Sequence, residues 1–380
     1  MKSNWKKQWK KNWSIWVVTL LMSCTLIGRG APSLIRGISR LMPGSSQTET
    51  AMAATTPAAS SATTESSSPE APAETLAIAA QFDHAADFHS DRAAVEVDGQ
   101  WGYVDKTGKM VIDPQFDEVG NFVEDLAWVQ TKQQYGYIDT TGQMVIKPQF
   151  DHAQNFSDGL AAVQVGEKWG YIDKTGQTVI EPAYDFADPF AEGLALIKND
   201  NKWGYINNEG QAVGQAQFDG GWDFAEGLAW VIDNGQHGYV DKTGQMVIEP
   251  QFEQTRDFAE GLAPVEQQGQ WGYIDTTGEV VVKPQFQAAG PFADGLAPVE
   301  SNGKWGYIDD AGKMVIEPQF THAETFREQM AKVEVNGKIG YIDQTGAYII
   351  EPQFDHAASF SEGLAAVEID GKWGFVAQHS

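Results

Sequence analysis

Trp305-Gly306-Tyr307-Ile308-Asp309 is one of nine near-copies of a single phrase. A Gly followed by Tyr or Phe stands at Gly102, Gly136, Gly170, Gly204, Gly238, Gly272, Gly306, Gly340 and Gly374, each 34 residues beyond the last with no insertion. Self-similarity at a fixed period of this length marks a repeat architecture, and it replaces the two or three separate domains that 380 residues would otherwise suggest.

Around that phrase the unit reads as a β meander. Leu296-Ala297-Pro298-Val299 is a short apolar stretch, and Ser301-Asn302-Gly303-Lys304 has hairpin chemistry because Asn-Gly accepts positive φ at both positions. Trp305 to Ile308 is a second strand. Asp309-Asp310-Ala311-Gly312 is a second turn, in which Asp bonds the backbone ahead and Gly supplies positive φ. Met314 to Phe320 is a third strand, with Pro318 near its end, and the segment to Phe326 links to the next copy. Each repeat is thus expected to be a three-stranded antiparallel meander. Helical repeats of nearly the same period are rejected, because every apolar run is strand-sized and no stretch is long enough for one amphipathic helix.

The unit resembles the bacterial WG-repeat family. Phe360-Ser361-Glu362-Gly363-Leu364-Ala365-Ala366-Val367 followed by Gly371-Lys372-Trp373-Gly374-Phe375 carries the likeness, which extends over about residues 76–380. The resemblance implies a β-rich repeat protein, often exported or surface-associated, with no common activity and no catalytic residues to transfer. Several copies depart from the pattern. Tyr135, His237 and Ile339 replace the Trp, Asn207 replaces the turn Asp, and Gly214 and Ala216 replace the Ile and Pro of the third strand beside Gly220-Gly221-Trp222. The fourth unit is therefore drifted, a hinge or a distinct site.

The phase of the two ends bears on the architecture. Leu76 to Phe82 aligns with a third strand, whereas the last copy stops at Val376 after a second strand. A propeller-like ring closed by its N-terminal strand needs that offset. Propellers usually have roughly four to eight four-stranded blades. The expectation is therefore an all-β, open, curved, solenoid-like array of nine meanders, with the closed ring as the alternative.

Residues 1–28 read as a signal peptide or membrane anchor. Lys2, Lys6, Lys7, Lys10 and Lys11 precede an apolar run from Ile15 to Ile27, too short for the roughly 20 residues of a full span. Leu21-Met22-Ser23-Cys24 is similar to a lipoprotein box, which makes Cys24, the one cysteine, the lipidation candidate. Residues 29–75, rich in Ser, Thr, Ala and Pro from about 45 onward, read as a disordered stalk unable to bury enough apolar surface to order itself. Residues 76–380 are the array. The expected location is extracytoplasmic, with membrane contact through the N-terminal segment only; a cytoplasmic location is the alternative.

Residues 1–48 hold eight Lys/Arg and no acid, which leaves 18 basic against 52 acidic residues beyond them. A surface this acidic repels nucleic acid and excludes it as a partner. Four histidines, His84, His152, His322 and His356, share one offset but are separated by whole repeats, so no metal site is expected. Asp105 and its equivalents read as turn caps, with calcium as the sharper alternative. No nucleophile motif or phosphate-cradling loop appears, so neither an enzyme nor a cofactor is expected. The tryptophans of the repeat phrase read as core. Trp128 and Trp230 share a second offset used irregularly, and together with Trp222 they are the candidate binding residues. The expected function is a non-enzymatic scaffold that binds a protein or a cell-envelope polymer. A spacer without a ligand, or a glycan-binding module built on Trp ladders, are the alternatives. Nothing in the sequence sets the oligomeric state.

Overall fold

The computed structural model describes residues 76–378, which are all-β. The signal or anchor segment, the stalk and Cys24 lie outside the described residues. Among those described, no helix is long and apolar enough to cross a membrane.

Each repeat forms one antiparallel sheet of four strands. In blade 7 these are Ala288–Ala289, Ala297–Ser301, Lys304–Ile308 and Met314–Phe320. The three expected strands are present. The fourth was hidden in the segment read as a linker: a two-residue strand pairing Ala288 with Glu300 and Ala289 with Val299. Two residues leave no periodic apolar signal, so the three-stranded reading is corrected to four.

The hairpin and turn chemistry folds as its residue types dictate. Asn302 and Gly303 have φ of 53° and 72°. The Asp105 carboxylate accepts hydrogen bonds from the Thr107 amide (2.9 Å), the Thr107 hydroxyl and the Lys109 amide (3.1 Å), and the arrangement recurs at Asp139, Asp173, Asp241, Asp275 and Asp343. Hydrogen bonding from the Thr hydroxyl is the chief cause that holds the Asp105 carboxyl below its ordinary range. The Gly of the repeat phrase answers to a local irregularity. Trp305 pairs with Phe320 and Tyr307 with Ile316, so extra residues of the last strand bulge between them. That bulge, which contains Pro318, presses on Gly306: a Cβ there would lie 2.8 Å from the Pro318 nitrogen.

Between blades the packing repeats. Tyr307 is fully buried, its ring lies 4.9 Å from Phe326 of the next blade, and its hydroxyl donates to the Glu324 carbonyl at 2.7 Å. A last-strand Ile or Val rests on the turn Gly of the following blade, as Ile112 does on Gly142 and Ile316 on Gly346. At the degenerate junction Gly214 takes the Ile place and meets Gly244 backbone to backbone, where a Cβ on Gly214 would lie 3.0 Å from the Gly244 Cα. At most junctions a carboxylate also clamps the next loop: Glu226 accepts from the Glu260 and Gly261 amides, both at 2.8 Å.

The ends meet by the same contacts. Ile78–Phe82 pairs antiparallel with Lys372–Ala377 and completes the ninth sheet, with Ile78 opposite Phe375 and Phe82 opposite Trp373. Ile78 rests on Gly108 of blade 1 as Ile112 rests on Gly142. Glu362 accepts from the Ser90 and Asp91 amides at 2.7 and 2.9 Å, and Lys106 reaches it at 3.2 Å. The nine sheets therefore form a closed ring, a nine-bladed β-propeller, and the open solenoid expected first is not adopted. Twisted sheets packed by one repeated contact turn through a fixed angle per blade, and here the turn completes after nine.

Candidate functional site

The first strand of each blade runs into a junction whose residues differ from copy to copy: Ala86-Asp87 in blade 1, Asp188-Pro189 in blade 4, Trp222-Asp223 in blade 5, Arg256-Asp257 in blade 6. These junctions face the centre of the ring. Burial raises the Asp87 carboxyl, and its surrounding charges include Glu324, two blades away. Burial raises the Tyr171 hydroxyl of blade 3, and Asp188 of blade 4 and Asp223 of blade 5 add to it. In the sheets the first strand is the edge opposite the last strand. The last strands lie at the rim and expose valines such as Val247 and Val315.

At blade 5 the junction carries an aromatic stack. The Trp222 amide donates to the Trp230 carbonyl at 3.1 Å, and the two indoles stack at 5.4 Å and 9°. Trp230 in turn stacks on His237 at 5.2 Å and 25°. Trp222 is 44% exposed, whereas His237 is 7% exposed and its Nδ1 has no partner. Burial lowers the His237 pKa, which keeps the ring neutral. Gly221 lets blade 4 pack closely on this junction: a Cβ there would lie 3.0 Å from Leu196 and 3.2 Å from the Tyr205 hydroxyl.

Three carboxylates from consecutive blades flank it. Burial pushes Asp188 up to about 7, with the Asp223 charge adding to it. Burial pushes Asp223 up to about 6, with Asp257 adding. Asp257 is also pushed up to about 6 by burial, partly offset by the Trp230 side chain and the Arg256 charge. One Oδ1 on each of Asp223 and Asp257 is buried without a hydrogen-bond partner. Across the ring Glu324, at the Asp188 offset, pairs with Lys332 at 2.8 Å and accepts from the Ser359 hydroxyl at 3.2 Å.

Of the three candidate tryptophans, the structure brings Trp222 and Trp230 together and leaves Trp128 apart, three blades away in blade 2. Trp128 folds over Gly120, where a Cβ would lie 2.6 Å from its Cδ1, and packs on Tyr135 at 5.5 Å. The repeat-phrase tryptophans are half-buried, apart from Trp271, which is buried. His84, His152 and His322 are exposed and lie beside Trp101, Trp169 and Trp305. Among the described residues no group of three or more His, Cys, Asp or Glu converges as metal ligands. Asp188, Asp223 and Asp257 went unnoticed in the sequence because they fall at two adjacent offsets whose residue types change from copy to copy. His237 stood out only as a missing Trp.

A closed ring of nine four-stranded sheets with variable central junctions is a repeat β-propeller scaffold. The chain belongs to the WG containing repeat family, whose model matches residues 74–101, 101–133, 135–169, 169–203, 203–236, 238–271, 271–305, 305–338 and 339–373. Among solved structures, it is similar to a eukaryotic initiation factor at 14% identity and TM-score 0.54, over 73% of this chain and 89% of that one. BamB from Moraxella catarrhalis aligns at 12% identity and TM-score 0.43, over 75% of this chain and 99% of that one. Kluyveromyces lactis Hsv2 aligns at 10% and 0.36, over 67% and 95%. At such identities the likeness is one of fold, and the first structure carries it. Among curated proteins no sequence relative matches.

Proposed function

We propose that this propeller is a non-enzymatic scaffold, working outside the cytoplasm, that binds a protein or a cell-envelope polymer at the central face of blades 4 to 6. The observation that carries this reading is the break in the ninefold pattern. One arc combines the exposed Trp222, stacked on Trp230, with Asp188 and Asp223, which have no cation beside them, whereas Glu324, at the Asp188 offset across the ring, is paired with Lys332. Propellers converge variable loops on one central surface, which suits recognition and needs no catalytic pair. The extracytoplasmic placement rests on the basic start, the apolar run to Ile27 and the Ser/Thr/Ala/Pro-rich segment before the ring. The acidic balance beyond residue 48 speaks against nucleic acid.

The test is capture from envelope extract by the full tagged chain, against a Trp222→Ala, Trp230→Ala double variant, together with cell fractionation. The expected result is a partner retained by the native chain and lost by the variant, with the protein in the membrane or extracytoplasmic fraction. Equal capture by both would remove this arc as the binding surface, and protein found wholly in the cytoplasm would remove the placement.

A further inference from the structure

We infer that blade 8 receives a tryptophan side chain from a partner protein, in the hollow left where its copy of the repeat has Ile339 in place of Trp. The site lies outside the arc of blades 4 to 6 and does not depend on it.

A cavity of about 70 Å³ opens on blade 8, lined by His322, Glu324, Lys332, Val333, Glu334 and Ile339. The sheet holds these residues side by side. His322 pairs with Glu334, and Glu334 with Ile339. The Lys332 ammonium lies 2.8 Å from the Glu324 carboxylate and donates to the Ala357 carbonyl of blade 9 at 2.9 Å.

The other blades show what fills this place. The Ile339 offset holds Trp in six of them, Tyr135 in blade 2 and His237 in blade 5. In blade 6 the offsets of Glu324 and Ile339 hold Arg256 and Trp271. There the guanidinium lies 5.5 Å from the ring, and Trp271 is 7% exposed. An indole at the Ile339 offset thus reaches the residue at the Glu324 offset. In blade 5 the offsets of Glu324, Lys332 and Ile339 hold Trp222, Trp230 and His237, whose rings stack at 5.4 and 5.2 Å. In blade 2 Trp128 and Tyr135 pack at 5.5 Å. Blade 8 alone has no ring at any of the three offsets, and the cavity lies among those three residues.

The walls suit an indole. Lys332 supplies a cation for a π face, as Arg256 does in blade 6. The Glu334 carboxylate is an acceptor for the indole N–H. Blade 2 shows the same kind of pairing, where the Tyr135 hydroxyl donates to Glu118 at 3.1 Å. Benzene occupies an apolar cavity of roughly 150 Å³, so the smaller hollow admits one edge of an indole. The guest is then half-buried, as most of the repeat-phrase tryptophans are. A leucine side chain offers neither a π face to Lys332 nor a donor to Glu334.

The experiment titrates N-acetyl-5-fluorotryptophanamide with the full chain and follows the fluorine resonance by NMR. The expected result is saturable binding below about 5 mM, displaced by N-acetyltryptophanamide and not by N-acetyl-leucinamide. The Ile339 methyl resonance, identified by its absence from Ile339→Val, should shift along the same curve. Ile339→Trp places the chain's own indole in the hollow and should weaken binding roughly tenfold or more. It restores the residue that six other blades carry, so it is expected to fold. Should it unfold, the Ile339 methyl shift in the native chain decides alone. No saturation, equal displacement by the leucine compound, an unmoved Ile339 methyl, or equal binding by folded Ile339→Trp would overturn the inference. Self-association of the chain that Ile339→Trp abolishes, without binding of the indole compound, would assign the hollow to a second copy and overturn it as well.

Discussion

Gly306 and its counterparts are held by a steric demand that a single residue expresses. A Cβ on Gly306 would come within 2.8 Å of the Pro318 nitrogen and 2.9 Å of the Glu317 carbonyl carbon, both backbone atoms that cannot swing aside. Gly306→Ala should cost about 1–3 kcal/mol, the usual range for overpacking. Gly303→Ala has open space around it and a φ of 72°, so it should cost only about 1 kcal/mol of backbone strain. Urea unfolding of both variants checks this, and equal losses would contradict the bulge account.

The buried acids make a second residue-scale prediction. Asp188, Asp223 and Asp257 titrate near 7, 6 and 6 in the folded ring, above the ordinary carboxyl value, so folding favours their protonated forms. Their cost to stability is absent below the unfolded value near pH 4, grows through pH 5 to 7, and is complete above pH 7. Among the groups around them, Trp230 and Arg256 oppose the shift at Asp257, and burial lowers the His237 pKa. The turn carboxylates such as Asp105 are shifted the other way, and their contribution is lost only below about pH 4. Melting temperature should therefore fall between pH 5 and pH 8. Asp188→Asn should recover roughly 1–3 kcal/mol at pH 8 and little at pH 4. A variant whose gain is the same at both values would show that burial does not perturb this carboxyl.

Elements lock to one another through the Glu or Asp that stands two residues before Leu, or before Met330 in blade 8, in most copies. Glu362 holds the Ser90 and Asp91 amides of blade 1 as Glu328 holds the Glu362 and Gly363 amides of blade 9. Because these amides are solvent-accessible, Glu362→Ala should cost only about 1 kcal/mol. The loss should match that of Glu328→Ala in thermal unfolding, since both clamp one blade to the next. A much larger loss for Glu362→Ala would mean that the closing junction is built differently from the rest. At this scale the sequence was legible where strands are long. Met314 to Phe320 is bounded in the structure as its residues suggested, because Val-Ile-Glu-Pro between two turns admits one reading. The two-residue strand at Ala288 was not legible, because it is defined by its partners Glu300 and Val299 and by no pattern of its own. The stack was half legible: Trp222 and Trp230 stood out against smaller residues in other copies. Asp223 and Asp257 looked like ordinary linker acids, and only the convergence of blades buries them.

Across the whole molecule the question is closure. The offset between Leu76–Phe82 and the final copy was visible in the sequence, but it fits a cap as well as a closing strand. The rotation between neighbouring repeats is a property of packed, twisted sheets that no single repeat records. What settles the matter in the structure is that Ile78 and Glu362 at the junction make the contacts that recur at most interior junctions. A ring joined in this way makes the first strand indispensable. Phe82→Asp, which puts a charge on a residue 3% exposed and opposite Trp373, should destabilise the ring by about 3 kcal/mol or more. Denaturant unfolding checks this, and a loss below about 1 kcal/mol would mean that the strand is dispensable.

The most direct measurement is the distance between the two ends of the array. Nitroxide labels at Gln81→Cys and Asp370→Cys, both exposed, in a Cys24→Ala background report it by dipolar electron paramagnetic resonance. Neighbouring strands of one sheet place the labels within about 30 Å of each other. An open array of nine sheets at roughly 10 Å spacing places them about 80 Å apart. A narrow distribution below about 30 Å is the result predicted for the closed propeller, and a distribution centred beyond about 60 Å would contradict it.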